Sequence, residues 1–210
     1  LKKRTKKLSI TMPRRIDGMD VLTPVGFWFI RHGETDWNAQ NLSQGDIDIP
    51  LNAVGRAQAQ SAAALMQGHK IATIVSSTLS RALDTARAVS EVTGVPIETD
   101  DGLRETKFGE QEGKPMGDWY DDWIAGTYTP AGAETFAALR ARAVAALNRA
   151  IVKPAPVLVV AHGGLFRAVR SAMGLVPNLR TPNAVPIYCE PPTAAGEPWT
   201  LRPVEGPATI

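Results

Sequence analysis

At 210 residues, 44% of them apolar, the chain is long enough to bury a full core and points to a single globular domain. No apolar run approaches the ~18 residues that a membrane span needs. The single cysteine, Cys189, forms no internal disulfide, which suits a reducing, cytoplasmic compartment. The net charge of +2 conceals an asymmetry: residues 1–20 carry seven basic side chains against Asp17 and Asp20, leaving 16 basic and 19 acidic groups on the other 190 residues. The basic excess therefore belongs to a leader. A solvated, disordered tail is expected there, rather than an arm for nucleic acid or a membrane surface. It lacks the apolar core of a secretory signal, and residues 21–210 are expected to form the one domain.

Beyond the leader, Val25 to Ile30 (VGFWFI) is a short apolar run of the kind buried on both faces of a parallel sheet. A helical pattern follows over Ala53 to Gln67. Ile71 to Val75 is the next apolar run, with a helix over Leu79 to Thr93, and Val95 to Glu98 reads as a further short strand. Residues 100–132 then break the alternation with glycines, acids and aromatics, as insertions over a site on an α/β scaffold do. Within them Trp119 and Trp123 are four apart and share one face of a short helix. Packing onto the body is the expected role of that face, with lining of a pocket as the alternative. A helix over Ala133 to Val152, the run Val157 to Ala161 (VLVVA) and a helix over Leu165 to Met173 restore the pattern, and Val185 to Cys189 with Trp199 to Arg202 reads as an edge pair. Gly68, Gly94 and Gly174 stand where three helices end. Cys189 is expected as a small apolar filler in its strand, and apolar positions near Val185 to Cys189 as an exposed face that permits a homodimer. Strands alternating with helices predict an α/β fold, a three-layer α/β/α sandwich around a mostly parallel sheet.

In such sheets ligands bind beyond the carboxyl ends of the strands. After the first run comes Arg31-His32-Gly33-Glu34, and after Val157 to Ala161 comes His162-Gly163-Gly164. After Ile71 to Val75 comes Ser76-Ser77-Thr78-Leu79-Ser80-Arg81, which places Arg81 about one turn into its helix. Parallel strands would bring His32, His162 and Arg81 to one edge. Glycine allows the backbone close to a ligand, helix N-termini offer amides to an anion, and Arg31 and Arg81 bring planar forks suited to phosphate. The third histidine, His69, lies in a polar stretch and reads as a surface loop residue. A metal fits poorly, because there is no HExxH or cysteine cluster and two arginines would repel a cation. A histidine nucleophile fits better: Arg31 and Arg81 should lower the proton affinity of His32 and keep its imidazole neutral for attack.

The chain resembles the histidine phosphatase superfamily, with its phosphoglycerate mutase-like fold, from Val25 to Arg202. The resemblance rests on RHGETDWN at 31–38, GDIDIPLNAVGRAQA at 45–59, SSTLSRALDTA at 76–86, LRETKFGEQEG at 103–113 and AHGG at 161–164. It implies His32 as the nucleophile that becomes phosphohistidine. Arg31, Arg81 and His162 are implied as the cage around the phosphoryl oxygens, and Glu105 as general acid and then base. Thr35, Asn38 and Gly45 are implied beside the substrate, with a backbone amide from Gly163. No metal or other cofactor is implied, and the partner is a small phosphorylated substrate. Without the resemblance Glu105 would read as a solvated loop acid or a partner of Arg104.

Hydrolysis of a phosphomonoester needs up to ~10²¹-fold acceleration, or ~29 kcal/mol, so one nucleophile is not enough and a cage of donors is required. The alternative is a phosphoglycerate mutase primed by a bisphosphorylated cofactor. Mutases of this family grip a second acidic group with paired arginines after the glutamate motif. Here Lys107 to Ala133 holds only Lys107 and Lys114 against five acids, and Leu42 stands where mutases tend to have arginine, so a phosphatase is expected. A non-catalytic phosphate-binding module is the third reading, against which every expected catalytic position is filled.

Overall fold

The computed structural model describes residues 21–204, so the basic leader at 1–20 lies outside the described residues. Six strands, β1 (Phe27–Arg31), β2 (Thr73–Ser76), β3 (Ile97–Thr99), β4 (Val157–Ala161), β5 (Ile187–Glu190) and β6 (Thr200–Pro203), form one sheet in the order β3-β2-β4-β1-β5-β6. The first four in that order are mutually parallel, and β5 and β6 add as antiparallel strands at one side. The sheet is the mostly parallel one expected, and the edge pair forms.

Helices α2 (Ala53–Met66) and α3 (Ser80–Thr93) cover one face, and α4 (Trp119–Ala125), α5 (Phe136–Ile151) and α6 (Gly163–Ala172) the other. The four-residue α1 (Asp36–Ala39) follows the first strand. Because successive strand residues point to opposite faces, Phe27 and Phe29 join Val157, Val159 and Ala161 in one core, while Ile30, Ile74, Leu158 and Val160 join the other. All five residues of β4 are buried, as a central strand sandwiched between helix layers requires. Phe166 of α6 stacks on Phe29 with ring centres 3.9 Å apart, fastening the helix that follows β4 onto β1. The second core is lined by the alanines of α2 and α3, among them Ala59, Ala62, Ala82 and Ala86, which let these helices lie close to the sheet and to each other.

Several boundaries differ from expectation for local reasons. Helix α5 starts at Phe136, not Ala133, because the Thr135 hydroxyl accepts from the Ala138 amide and caps it. Helix α6 starts at Gly163, directly after His162, and Arg81 is the second residue of α3 rather than a turn inside it. Gly94 and Gly174 take the left-handed conformation at their helix ends, but Gly68 does not; Lys70 does so two residues later. Residues 185–189 do not present an exposed apolar face: Ile187 and Cys189 are buried, and β5 lies between β1 and β6. The ground for a homodimer there is thereby removed. Cys189 is fully buried, and burial pushes its thiol up, as for an apolar filler. His69 sits in a turn as expected, yet its ring packs on Trp28 at 4.4 Å. No described helix is long and apolar enough to cross a membrane.

Candidate active site

The register of β1 with β4 pairs Arg31 with Ala161, and the His32 amide donates to the Ala161 carbonyl at 3.0 Å, continuing the ladder one residue past the strand. His32 and His162 thus leave neighbouring strands at the same level, with ring centres 5.2 Å apart. The Ser77 amide, one residue past β2, donates to Val160 at 3.0 Å and brings the third strand end alongside. All three meet as the sequence predicts.

His32 is 2% exposed, and its Nδ1 lies 2.7 Å from the Gly33 carbonyl oxygen. A carbonyl can only accept, so Nδ1 carries the proton and Nε2 keeps its lone pair. Burial above all, then Arg81 and Arg31, holds the proton affinity of His32 well below the ordinary histidine value. The arginines act as expected, but desolvation is the larger cause. His162 is lowered in the same way, by burial first and then by Arg81 and His32. Its Nε2 shares a 2.7 Å hydrogen bond with the Ser77 hydroxyl.

Arg81 is completely buried, and its Nη1 and Nη2 donate to the carbonyls of Ile47 and Gly45 at 2.7 and 2.9 Å. Arg31 Nη1 donates to the Thr181 carbonyl at 2.7 Å. Burial lowers both arginines to about 10, which leaves them cationic at physiological pH. Among the described residues, buried side-chain nitrogens without a partner include Arg31 Nε, Arg81 Nε, His162 Nδ1 and Arg167 Nε. Buried polar groups are normally satisfied. Three of them, on Arg31, Arg81 and Arg167, belong to residues that line one cavity, a concentration that suits an anion.

That cavity, about 230 Å³, is lined by Arg31, His32, Asn38, Gly45, Arg81, Glu105 and Gly163 of the expected residues. Glu105 reaches it from the segment after β3. Its Oε2 accepts from the Gly164 amide at 2.7 Å, and its Oε1 accepts from Leu165 and Thr106 at 2.8 and 3.0 Å. The carboxyl is thereby seated on the N-terminus of α6, and Oε2, with one donor rather than two, has the free lone pair.

Two expected residues have different positions. Thr35 is fully buried and does not line the cavity; it caps α1 by accepting from the Asn38 amide and donates its hydroxyl proton to Gln44 Oε1 at 2.9 Å. His162 is fully buried and is not among the residues lining the cavity, and its Nδ1 has no partner. The glycine after the nucleophile position also has a different physical reason from the one expected. A Cβ on Gly33 would lie 2.3 Å from the Gly55 carbonyl oxygen, so the close approach it permits is to α2 and not to a ligand.

The segment 100–132 does lie over the site, through Phe108, Met116 and Tyr120. Trp123 packs in the core and Trp119 against Phe108, as expected of a helix docked on the body. Sequence reading missed Gln44, Arg167, Arg180 and Thr181 in the wall. Only Arg167 had a signal, five residues beyond His162 on the same helix. It also missed Asn183, whose Nδ2 donates to the His32 carbonyl at 2.9 Å.

Comparison with known proteins finds relatives along most of the chain. The family described as histidine phosphatase superfamily (branch 1) matches residues 27–184. A glucosyl-3-phosphoglycerate phosphatase of Mycolicibacterium vanbaalenii is 33% identical over 164 residues, covering 69% of this chain and 72% of the relative. A probable phosphoglycerate mutase of Yersinia enterocolitica is 35% identical over 164 residues, covering 72% and 76%. Among solved structures, a mycobacterial glucosyl-3-phosphoglycerate phosphatase complexed with VO3 superposes with a TM-score of 0.73 at 30% identity, covering 85% of this chain and 97% of its own.

Proposed function

The chain belongs to the histidine phosphatase superfamily, branch 1, and is a phosphatase of phosphate esters; we propose that it works through a phosphohistidine formed on His32 Nε2. The observation that carries this reading is the 2.7 Å contact of His32 Nδ1 with the Gly33 carbonyl, which fixes the tautomer with Nε2 unprotonated. Burial and the two arginines keep the ring neutral, so the nucleophile is ready at neutral pH.

In the first half, Nε2 forms the bond to phosphorus as the ester P–O bond breaks, and the leaving oxygen takes a proton from the Glu105 carboxyl. In the second, Glu105 takes a proton from water, the resulting hydroxide bonds to phosphorus, and the P–N bond returns its electrons to His32. Oε2 is the oxygen assigned to the proton, because it alone has a lone pair to spare. Arg31, Arg81 and the Gly163 amide hold the phosphoryl oxygens, and Asn38 and Gly45 line the same cavity. The cavity is smaller than the ~300–1,000 Å³ of pockets for drug-sized ligands, which favours a small phosphorylated metabolite. A cytoplasmic setting fits a chain whose one cysteine is a buried free thiol.

The mutase reading has the Yersinia relative in its favour. Against it, neither Lys107 nor Lys114 lines the cavity, and Leu42 does. The test is release of phosphate from p-nitrophenyl phosphate without bisphosphoglycerate, with acid-labile, base-stable labelling of the protein by a phosphorylated substrate. His32→Ala is expected to lose both. Hydrolysis surviving in H32A would remove the nucleophile assignment, and turnover only with bisphosphoglycerate would favour the mutase.

A further inference from the structure

The proposed reaction uses the Glu105 carboxyl in both halves, yet Glu105 lies in irregular chain between the single turns Asp101–Leu103 and Gly109–Gln111. No strand ladder or helix holds that stretch. Leu103 and Phe108 anchor its two ends in the core. Between them Arg104, Glu105 and Lys107 line a second cavity, about 400 Å³, so the core does not close behind these three residues.

Arg142 of α5 reaches the main chain there. Its Nη1 donates to the carbonyls of Gly102 and Arg104 at 3.0 and 2.8 Å, and its Nη2 donates to the Glu105 carbonyl at 3.5 Å, the longest of the three. Glu134 takes the other edge of the guanidinium: Nε donates to Oε1 at 3.0 Å and Nη2 to Oε2 at 2.7 Å. Such a fork-to-fork pair fixes orientation as well as charge. Glu134 is itself tied down through its main chain, since its amide donates to the Lys107 carbonyl at 2.9 Å and its carbonyl accepts from Trp123 Nε1 at 2.8 Å. The chain before and after Glu105 is thus fastened to one ion pair. That pair stands on a helix seated in the core through Leu139, Ala143 and Ala146.

We propose that Arg142, oriented by Glu134, is a positioning residue that fixes the main chain from which the Glu105 carboxyl reaches the reacting oxygen. This rests on the reading of Glu105 as general acid and base. The α6 amides hold the carboxyl at one end of the side chain, and Arg142 holds the backbone at the other. With the backbone released, the carboxyl can pivot on those amides and turn the free lone pair of Oε2 away. A displacement near 1 Å at a reacting group costs on the order of 10²-fold.

The test is kcat/KM, which reports the first half-reaction, on phenyl phosphate and p-nitrophenyl phosphate. The two leaving groups are alike in shape, but phenolate needs more acid assistance than nitrophenolate. Arg142→Met is expected to lower the phenyl to p-nitrophenyl ratio by about ten- to a hundredfold relative to wild type, and Glu134→Gln by less. Arg142→Lys, which keeps the charge but cannot meet the carboxylate fork and the carbonyls together, should recover only part of it. A purely structural role would lower both substrates alike and leave the ratio unmoved. Glu105→Gln sets the limit: it should lower the ratio at least as far, and adding R142M to it should lower the ratio no further. A ratio unchanged in R142M while it falls in E105Q overturns the positioning role and leaves Glu105 in place. Should R142M fail to fold, an unchanged ratio in both E134Q and R142K has the same force. A further fall in the double variant shows Arg142 acting apart from Glu105 and likewise overturns the role. A ratio unchanged in E105Q overturns the general acid, and the positioning residue with it.

Discussion

Gly33→Ala is expected to damage both stability and activity, through a contact that involves no substrate. The new Cβ would lie 2.3 Å from the Gly55 carbonyl oxygen and 2.9 Å from its carbon, where real Cβ contacts begin at about 3.0 Å. Both partners are backbone, so neither side can swing away as a flexible side chain would. Gly55 mirrors the contact, since a Cβ there would meet the Glu34 carbonyl oxygen at 2.0 Å. The loop after β1 and the first turn of α2 must therefore separate by at least ~0.7 Å. Overpacking of this kind costs about 1–3 kcal/mol, or roughly 2–12 °C in Tm for a domain of this size. The same shift moves the Gly33 carbonyl that holds His32 Nδ1, and a misplacement near 1 Å at a reacting group costs on the order of 10²-fold. Thermal unfolding and kcat on p-nitrophenyl phosphate read the two effects. Gly68→Ala, where a Cβ meets nothing within 4 Å, is the matched control. A G33A protein with wild-type Tm and kcat would refute the assignment of Gly33 to backbone packing and of its carbonyl to orienting the nucleophile.

Two further outcomes are expected. Glu105→Gln should still be phosphorylated by p-nitrophenyl phosphate, whose leaving group needs little acid assistance, but should lack the base for the second half. A burst of nitrophenol followed by a slow steady rate, with label accumulating on the protein, is the expected trace, and an unchanged steady rate would remove Glu105 from the reaction. For pH, His32 and His162 titrate well below 6.5 when folded and near 6.5 when unfolded. The unfolded chain therefore binds more protons below pH 6.5, and the stability present above that pH is lost as pH falls through 6.5 toward the folded values. Each histidine contributes a slope of up to ~1.4 kcal/mol per pH unit. Denaturant unfolding between pH 7 and 5 should show it, and His162→Gln should flatten it by about half. A wild-type stability independent of pH across that window would contradict the burial of neutral imidazoles.

Most of the scaffold was legible because its determinants are local. Val157 to Ala161 announces a strand buried on both faces by its apolar run alone, and Gly94 and Gly174 mark helix ends by their conformational freedom. The convergence of His32, His162 and Arg81 followed from one topological rule about strand ends. Glu105 was legible only through resemblance, because its place on the α6 amides depends on a segment whose path no periodicity encodes. Thr35 was expected at the substrate, but its hydroxyl caps α1, a role that the Thr35 to Asn38 spacing already offers to a helix start. Arg180 carried no signal at all: it lies in an irregular loop between α6 and β5, and only the pairing of β5 with β1 brings that loop back to the cavity. The exposed apolar face imagined at residues 185–189 failed for the same reason, since which strand is outermost is a property of the whole sheet.

The site depends on residues that never meet a substrate. Phe29 pairs with Val159 across β1 and β4, and both point into the same core, with Phe166 stacked on Phe29. Side chains alternate along a strand, so a slip of one residue between β1 and β4 would set Phe29 beside Leu158 or Val160, whose side chains belong to the opposite face. The loss of apolar burial on both faces pins the register. That register sets Arg31 beside Ala161 and places the two histidines at one level, which fixes the 5.2 Å between their rings. The distance between His32 and His162 is thus an outcome of hydrophobic alternation in the two central strands of the sheet, and Gly33 against Gly55 then holds the loop after β1 in place.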